Sequence, residues 1–428
     1  MEKFVISGGN RLKGEITPSG NKNEALPAIA AALLSEEPVI LRNIPEIEDV
    51  KIMLELVRSA GASVDRIENG AYRISSGTHL RKELDRDLCR KIRASILFAG
   101  PLTAKNGELI LPPPGGDVIG RRRIDTHFTA MNAMGIDHQF DGNFNLRISA
   151  GGIRGADIFL EEQSVTATEN LMMLAALAKG TTRIENAACE PHVQGLAGML
   201  QAMGARINGI GTNTLIVQGV ERLRGADYTI GNDYLETWSY AGLAAIMGEG
   251  VLIRDSEALK MWKIRMVFEK LGVRIEEKPE GLFVAGNQQL RIKAEMFDAI
   301  PVIDDAPWPQ FPTDLMSIAI VLAVNSAGTV VFFEKMYDGR MFFVDNLIAM
   351  GAKIILCDPH RVVVAGPSRL YGATLESPDI RAGMALIIAS LSAEGTSTVY
   401  NIRQIDRGYE MIDGKLRGLG AEIQRVKI

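Results

Sequence analysis

An α/β fold assembled from repeated units in two domains is what this sequence predicts, on three observations. A glycine recurs about every 70 residues, an almost wholly apolar helical stretch stands ahead of each glycine, and short alternating strands lie between them. The glycines are Gly61, Gly135, Gly204, Gly272, Gly351 and Gly420. Four stand in near copies, "MGARI", "LGVRI", "MGAKI" and "LGAEI", each after an amphipathic segment such as "VQGLAGMLQAMG". Each is therefore expected to cap a helix that feeds a strand.

The apolar stretches are "NEALPAIAAALLSE", "ASILFAGPLTAKNG", "ENLMMLAALAKG", "TWSYAGLAAIMGEG", "DLMSIAIVLAVNSAG" and "RAGMALIIASLSAEG". A helix apolar on every face has to be buried. Most units open on an alternating strand and a small loop, as in "LIVQGVERLRGADYTI" and "VVVAGPSRLYGATL", and "FVISGGNRLKGEIT" at the N-terminal end has the same form. The last unit stops at "GAEIQRVKI" without that strand, so the first strand of the chain is expected to complete it. This closure divides the chain into a domain of residues 22–231 and a second of residues 1–21 with 232–428. The chain then crosses twice between them, and a small-molecule site is expected in the cleft. An elongated repeat scaffold for protein binding is the plainer alternative.

With 428 residues, 46% of them apolar and 23% charged, and a formal charge of −5, the chain has ordinary globular composition. Bulk positive charge for nucleic acid or a membrane surface is lacking. Cys89, Cys189 and Cys357 share no metal-type spacing and cannot all pair, which fits a reducing compartment. "MEKFVISGGNRLKGE" turns polar too soon for a signal peptide, and "LMSIAIVLAV" is too short to span a bilayer, so a cytoplasmic protein is expected.

Charge collects just ahead of the buried helices: Lys22 and Asn23, Arg93, Asp233 and Glu236, Asp314, and Asp379 with Arg381. Helix N-termini attract anions through free N–H groups and a partial positive charge. Asp233, Asp314 and Asp379 are good capping residues and individually read as structural. Lys22, Arg93 and Arg381 oppose the helix field and call for an anion that compensates them. Arg340 in "YDGRMFF" and Arg407 in "QIDRGYE" occupy analogous places. A further cluster lies in "LPPPGGDVIGRRRIDTH", where a stiff proline arm and two glycines precede Asp117, Arg121, Arg122 and Arg123.

"SGNKNEALP", "IRASILFAGPL", "PGGDVIG", "FPTD", "GRMFFVDNLIAMGA" and "IDRGYEMIDGKLRGLGA" together resemble the UDP-N-acetylglucosamine 1-carboxyvinyltransferase family over the whole chain. Its sister family makes enolpyruvylshikimate phosphate. The resemblance implies the enolpyruvyl transferase fold: two inside-out α/β barrel domains of six repeated βαβαββ units, with apolar helices inside and sheets outside. It implies transfer of the enolpyruvyl group of phosphoenolpyruvate to the 3′-hydroxyl of UDP-N-acetylglucosamine through a tetrahedral intermediate. Phosphate is released, in the first committed step of peptidoglycan synthesis, and no metal or organic cofactor is implied.

By the same resemblance Lys22, Arg122 and Arg407 hold phosphoenolpyruvate. Asn23, Arg93, the stretch Arg122, Arg123, Ile124, Asp125 and Thr126, and Ser164 with Val165 contact the UDP sugar, and Met336, Arg340, Asp379 and Arg381 join the substrate-binding set. Asp314 matches the position of the base. Asp117 matches the lid residue, which in many members is a cysteine alkylated by fosfomycin; as aspartate it is expected to act as general acid and to make the enzyme insensitive to that compound. Lysine is common in the family where Glu162 stands, histidine where Gln404 stands and a small residue where Trp238 stands. A related enolpyruvyl transferase acting on a nucleoside phosphate or shikimate phosphate, or an inactive UDP-sugar-binding paralogue, stays open. Retention of Lys22, Asp117, Arg122, Asp314 and Arg407 together favours an enzyme.

Overall fold

In a computed structural model, residues 2–116, 119–120, 122–143 and 145–428 are described. The chain forms two compact units. One, the insert unit, comprises Gly20–Asp117 and Arg122–Gly231; the other, the terminal unit, comprises Met1–Ser19, Val118–Arg121 and Asn232–Ile428. The division therefore falls at Ser19/Gly20 rather than after residue 21. Ile119 and Gly120, expected with residues 22–231, belong instead to the terminal unit, where the Gly339 N–H donates to the Ile119 carbonyl at 3.0 Å.

The period of the sequence is a cap. All six marker glycines have positive φ, between 83° and 105°. Each N–H donates to a carbonyl three residues back, at 2.9 to 3.1 Å, as in Gly61 to Arg58 and Gly420 to Arg417. At five of the six the next residue closes the wider turn; the Ala205 N–H, for example, donates to the Leu200 carbonyl at 2.9 Å. This left-handed ending is the one that a residue without Cβ adopts freely, and it turns an outer helix directly into a strand.

The almost wholly apolar helices are the cores. In the insert unit these are Lys22–Ala31, Ala99–Asn106 continuing the turn Arg93–Phe98, and Val165–Ala175; in the terminal unit they are Tyr234–Met247, Met316–Val324 and Ile380–Ser392. Every residue of Met316–Val324 is buried. Such helices cannot face water on any side, so sheets wrap them, and the amphipathic helices such as Glu48–Ser59 and Pro191–Ala202 fill the gaps.

Each unit carries three sheets. In the sheet Asp227–Thr229, Val39–Arg42, Ala71–Ser75, Ser63–Glu68, the first pair is parallel and the others antiparallel. The same plan recurs in the sheet Thr374–Glu376, Thr396–Tyr400, Glu2–Ser7, Glu422–Lys427. Here Glu2–Ser7 takes the place that Ala71–Ser75 has in the former, pairing Phe4 with Val399 and with Arg425. The missing strand of the last repeat is thus the first strand of the chain. One sheet, Glu108–Leu111, Leu146–Ala150 and Ile136–Phe140, has three strands, and a parallel bridge from Glu83 to Ile110 stands where the fourth would be.

Cys89, Cys189 and Cys357 are all free. Among the described residues no helix is long and apolar enough to cross a membrane, and no group of His, Cys, Asp and Glu could hold a metal ion.

Candidate active site

In the insert unit the core helices open without an acidic cap. Asn21 caps Lys22–Ala31, its Oδ1 accepting the Glu24 N–H at 3.2 Å, and Ser164 caps Val165–Ala175, its hydroxyl accepting the Ala167 N–H at 3.3 Å. Lys22, in the first turn, donates through Nζ to Asp49 Oδ2 at 3.2 Å, and both side chains are largely buried. Asp49 belongs to the first turn of Glu48–Ser59, where a carboxylate is favoured by the helix field. Spacing alone did not single it out, because an acid at the start of an amphipathic helix reads as a cap.

Arg93 opens its turn from Ile92, which makes no side-chain cap. Its Nη2 donates to the carbonyls of Arg122 and Arg123 at 2.7 and 3.2 Å, so the guanidinium fixes the backbone that leads into the helix Asp125–Ala133. The two glycines of "PPPGG" lie against Arg90 and against Arg93 at the start of this turn. A Cβ on Gly115 would come within 1.7 Å of the Arg90 carbonyl oxygen, and Gly116, at φ 111°, would bring one within 2.8 Å of Arg93 Cβ. Close approach, more than freedom of rotation, requires glycine at Gly115. Asp117 and Arg121 lie outside the described residues.

Arg123 is half-exposed and pairs through Nε with Asp125 Oδ2 at 2.6 Å; Glu161 and Glu162 also add to the negative field that holds its charge. Glu162, the departure from lysine, therefore faces a cation. His127 follows Thr126 into the core, with Nε2 at 2.9 Å from the Thr166 hydroxyl. Burial first and the Arg93 charge second push its pKa down to about 4, so it is neutral at physiological pH. Arg93, the 122–127 segment and the 162–166 turn are thereby one locus, and the Lys22 helix packs against the Arg93–Phe98 turn.

The terminal unit is built on charged caps. Asp233 Oδ1 accepts the N–H groups of Leu235 and Glu236 at 2.8 and 3.3 Å, and Asp379 Oδ1 accepts those of Arg381 and Ala382 at 2.7 and 3.0 Å. Both are caps, as their residue type suggests. Asp314 is not: Pro312 occupies the cap of the turn Thr313–Leu315, which leaves the Asp314 carboxylate to other partners. Arg340 Nη2 meets its Oδ1 at 2.6 Å, and Arg381 Nη2 its Oδ2 at 3.3 Å. Arg340 Nη1 also lies 3.7 Å from Asp379 Oδ1. Both arginines are buried, at 6% and 4% exposure, whereas the Asp314 side chain keeps 25%. Burial works against the charge of each arginine, and the surrounding carboxylates, Asp314 first, outweigh it, so both remain cations. The Arg381 guanidinium also lies 5.7 Å from the centroid of the Tyr409 ring. The structure thus brings Asp314, Arg340, Asp379 and Arg381 together around one carboxylate that faces outward.

Arg407 Nη1 donates to Gln404 Oε1 at 2.8 Å, so the glutamine standing in place of histidine holds this arginine. The following Gly408 lies close against the Ile380 side chain, where a Cβ would come within 2.4 Å of Cγ2. The Met336 N–H donates to Glu334 Oε1 at 3.0 Å, in the loop that carries Arg340. Trp238 is fully buried and meets Phe268 edge-on with centroids 4.9 Å apart. It belongs to the core. Glu236, also buried, accepts from Lys415 at 2.7 Å, from the Ser19 N–H at 2.8 Å and from the Tyr240 hydroxyl, which accounts for a charge that the sequence marks without explaining.

The signature of the EPSP synthase (3-phosphoshikimate 1-carboxyvinyltransferase) family matches residues 6–416. A UDP-N-acetylglucosamine 1-carboxyvinyltransferase of Bradyrhizobium diazoefficiens is 51% identical over 424 residues, covering 99% of this chain and 98% of its own. The chain belongs to the UDP-N-acetylglucosamine 1-carboxyvinyltransferase family. Another member, from Treponema denticola, is 50% identical with 99% of both chains covered. Among solved structures, the enolpyruvyl transferase NikO from Streptomyces tendae superposes with a TM-score of 0.89 at 22% identity, over 100% of this chain and 99% of its own. EPSP synthase from Acinetobacter baumannii gives 0.76 at 19% identity over the full length of both. These two show that the fold is that of the enolpyruvyl transferases.

Proposed function

We propose that this protein transfers the enolpyruvyl group of phosphoenolpyruvate to the 3′-hydroxyl of UDP-N-acetylglucosamine, releasing phosphate, as the first committed step of peptidoglycan synthesis in the cytoplasm. The single observation that carries the chemistry is the half-open Asp314 carboxylate held between two buried arginines; full-length identity near 50% to carboxyvinyltransferases carries the choice of acceptor.

In this reading the sugar hydroxyl attacks C2 of phosphoenolpyruvate as Asp314 takes its proton, while Asp117 delivers a proton to the methylene C3. The product is a tetrahedral intermediate that retains the phosphate. Loss of a C3 proton and departure of phosphate with its bonding electrons restores the double bond. Lys22, Arg122 and Arg407 hold the phosphate and carboxylate of phosphoenolpyruvate by charge-assisted hydrogen bonds. Asn23, Arg93, Arg123, Ile124, Asp125, Thr126, Ser164 and Val165 hold the UDP sugar, with Met336, Arg340, Asp379 and Arg381 completing the set. Arg340 and Arg381 keep Asp314 ionised until it accepts the proton. No metal or organic cofactor is required by the steps.

The test is phosphate release from phosphoenolpyruvate by the purified protein, with UDP-N-acetylglucosamine, shikimate 3-phosphate or no acceptor. Release that depends on the UDP sugar and persists after incubation with fosfomycin is expected. Release with shikimate 3-phosphate alone would move the acceptor to the sister reaction, and alkylation of residue 117 by fosfomycin would remove the role given to Asp117.

A further inference from the structure

Behind Asp314 lies a pair of carboxyls to which the reaction assigns no part. The strand Val302–Asp304 runs parallel to Gly328–Phe333 with Asp304 opposite Phe333, so the next two residues, Asp305 and Glu334, leave the sheet side by side. Both are fully buried. Glu334 Oε1 accepts the N–H groups of Met336 and Tyr337, each at 3.0 Å, and Oε2 accepts the Thr313 hydroxyl at 2.8 Å. Asp305 Oδ1 accepts the Lys335 N–H at 2.5 Å, whereas its Oδ2 is buried with no donor. Two ionised carboxylates cannot bond to each other; with one proton between them they can, and the orphaned oxygen is satisfied. The Thr313 hydroxyl then has a direction. Donating to Glu334, it turns its lone pair to Arg340 Nε, 3.2 Å away, and Arg340 in turn holds Asp314.

We propose that Asp305 and Glu334 are a positioning pair that shares one proton and, through the Thr313 hydroxyl and the 334–340 loop, sets Arg340 against Asp314. This inference rests on the catalytic role given to Asp314. Burial and the neighbouring Asp305 carboxyl push Glu334 up to about 8, while Thr313 and Arg340 pull the other way. The groups facing the pair are few. Arg340 is shared with Asp314 and Asp379; His360 meets the Glu334 carbonyl through Nδ1 at 2.8 Å and Asp338 through Nε2 at 3.3 Å; and the Lys335 ammonium pairs with Asp304. Among the described residues none of these is left to neutralise a second negative charge. Above about pH 8 the pair loses its proton, the carboxylates repel, and the loop that carries Arg340 shifts.

The experiment is the pH profile of kcat for phosphate release in the wild type, Asp305→Asn and Glu334→Gln, with thermal unfolding followed from pH 4.5 to 9 in parallel. The wild type should lose turnover through an alkaline limb near pH 8. Asparagine imitates the protonated aspartate, accepting from Lys335 and donating to Glu334, so Asp305→Asn should stay within about threefold of wild type at pH 7 and lose that limb. Glu334→Gln cannot accept all three donors and should cut kcat about 10²-fold through misplacement of Arg340. Folding stability of the wild type should fall as pH rises from about 4.5 to about 8, because the folded state binds a proton that the unfolded chain has released, and this slope should flatten in Asp305→Asn. An unchanged alkaline limb in Asp305→Asn, or a folded Asp305→Asn inactive at every pH, overturns the proposal. A wild type without turnover on any acceptor fails the catalytic reading and the positioning role with it, whereas the shared proton is still decided by the unfolding slope.

Discussion

The two units solve the same electrostatic problem in opposite ways. In the insert unit the core helices begin at Asn21, Ile92 and Ser164, none of them charged; of the nearby cations, Lys22 pairs with Asp49, Arg123 with Asp125, and Arg93 donates to backbone carbonyls. In the terminal unit Asp233 and Asp379 cap two of the three core helices, and Arg340 and Arg381 are buried among carboxylates. A neutral cap satisfies N–H groups yet leaves the positive field of the helix available to a ligand. An aspartate cap uses up that field and compensates a buried arginine instead. The insert unit leaves the positive ends of its core helices without an acidic cap, whereas the terminal unit holds the Asp314 carboxylate between two buried arginines.

Substitutions that exchange these roles test the contrast. The largest effect is expected for Asp314→Ala, which removes the proposed proton acceptor: kcat should fall about 10³-fold, within the range of general base catalysis. Rapid-quench phosphate release checks it, and a fall of less than tenfold would show that Asp314 orients rather than accepts. Asp379→Asn keeps the cap oxygen and loses the charge beside Arg340, so denaturant unfolding should report a loss of about 3 kcal/mol, as for a broken buried pair. Arg93→Ala frees the carbonyls of Arg122 and Arg123 and should weaken UDP-sugar binding by about 2 kcal/mol, roughly 30-fold, with little effect on the melting temperature. Ser164→Ala, the neutral counterpart of Asp379→Asn, should cost only about 1 kcal/mol of stability by the same unfolding measurement. If Ser164→Ala and Asp379→Asn were equally damaging, the distinction between the two kinds of cap would fail.

Much of the fold was legible because it rests on local physics. A glycine that ends a helix in the left-handed region leaves its mark at Gly61 and at each of its five counterparts, and a helix such as Met316–Val324 has no polar face to misread. Even the long-range pairing of Glu2–Ser7 with Thr396–Tyr400 could be inferred, since one repeat lacked a strand that the chain start supplied. What escaped the sequence depends on partners far apart in the chain. Asp305 and Glu334 sit in "VIDDAPW" and "FFEKMYD", which read as solvated loop ends because acids are rarely buried unless paired. Trp238 stands where a small residue is common in the family, and only the structure shows the space that takes it, edge-on to Phe268 in the core. The separate behaviour of Asp314, a carboxylate at a helix start that is not the cap, needed Pro312 to be seen in the capping place.

The most direct measurement is calorimetric titration of UDP-N-acetylglucosamine into Asp314→Ala and Arg93→Ala, each compared with wild type and with its own rate of phosphate release. The contrast predicts that Asp314→Ala binds the UDP sugar within about tenfold of wild type while turnover collapses, and that Arg93→Ala loses roughly 30-fold in affinity. Equal loss of affinity in both variants, with turnover falling only in proportion, would contradict the assignment of UDP-sugar binding to Arg93 and of proton acceptance to Asp314.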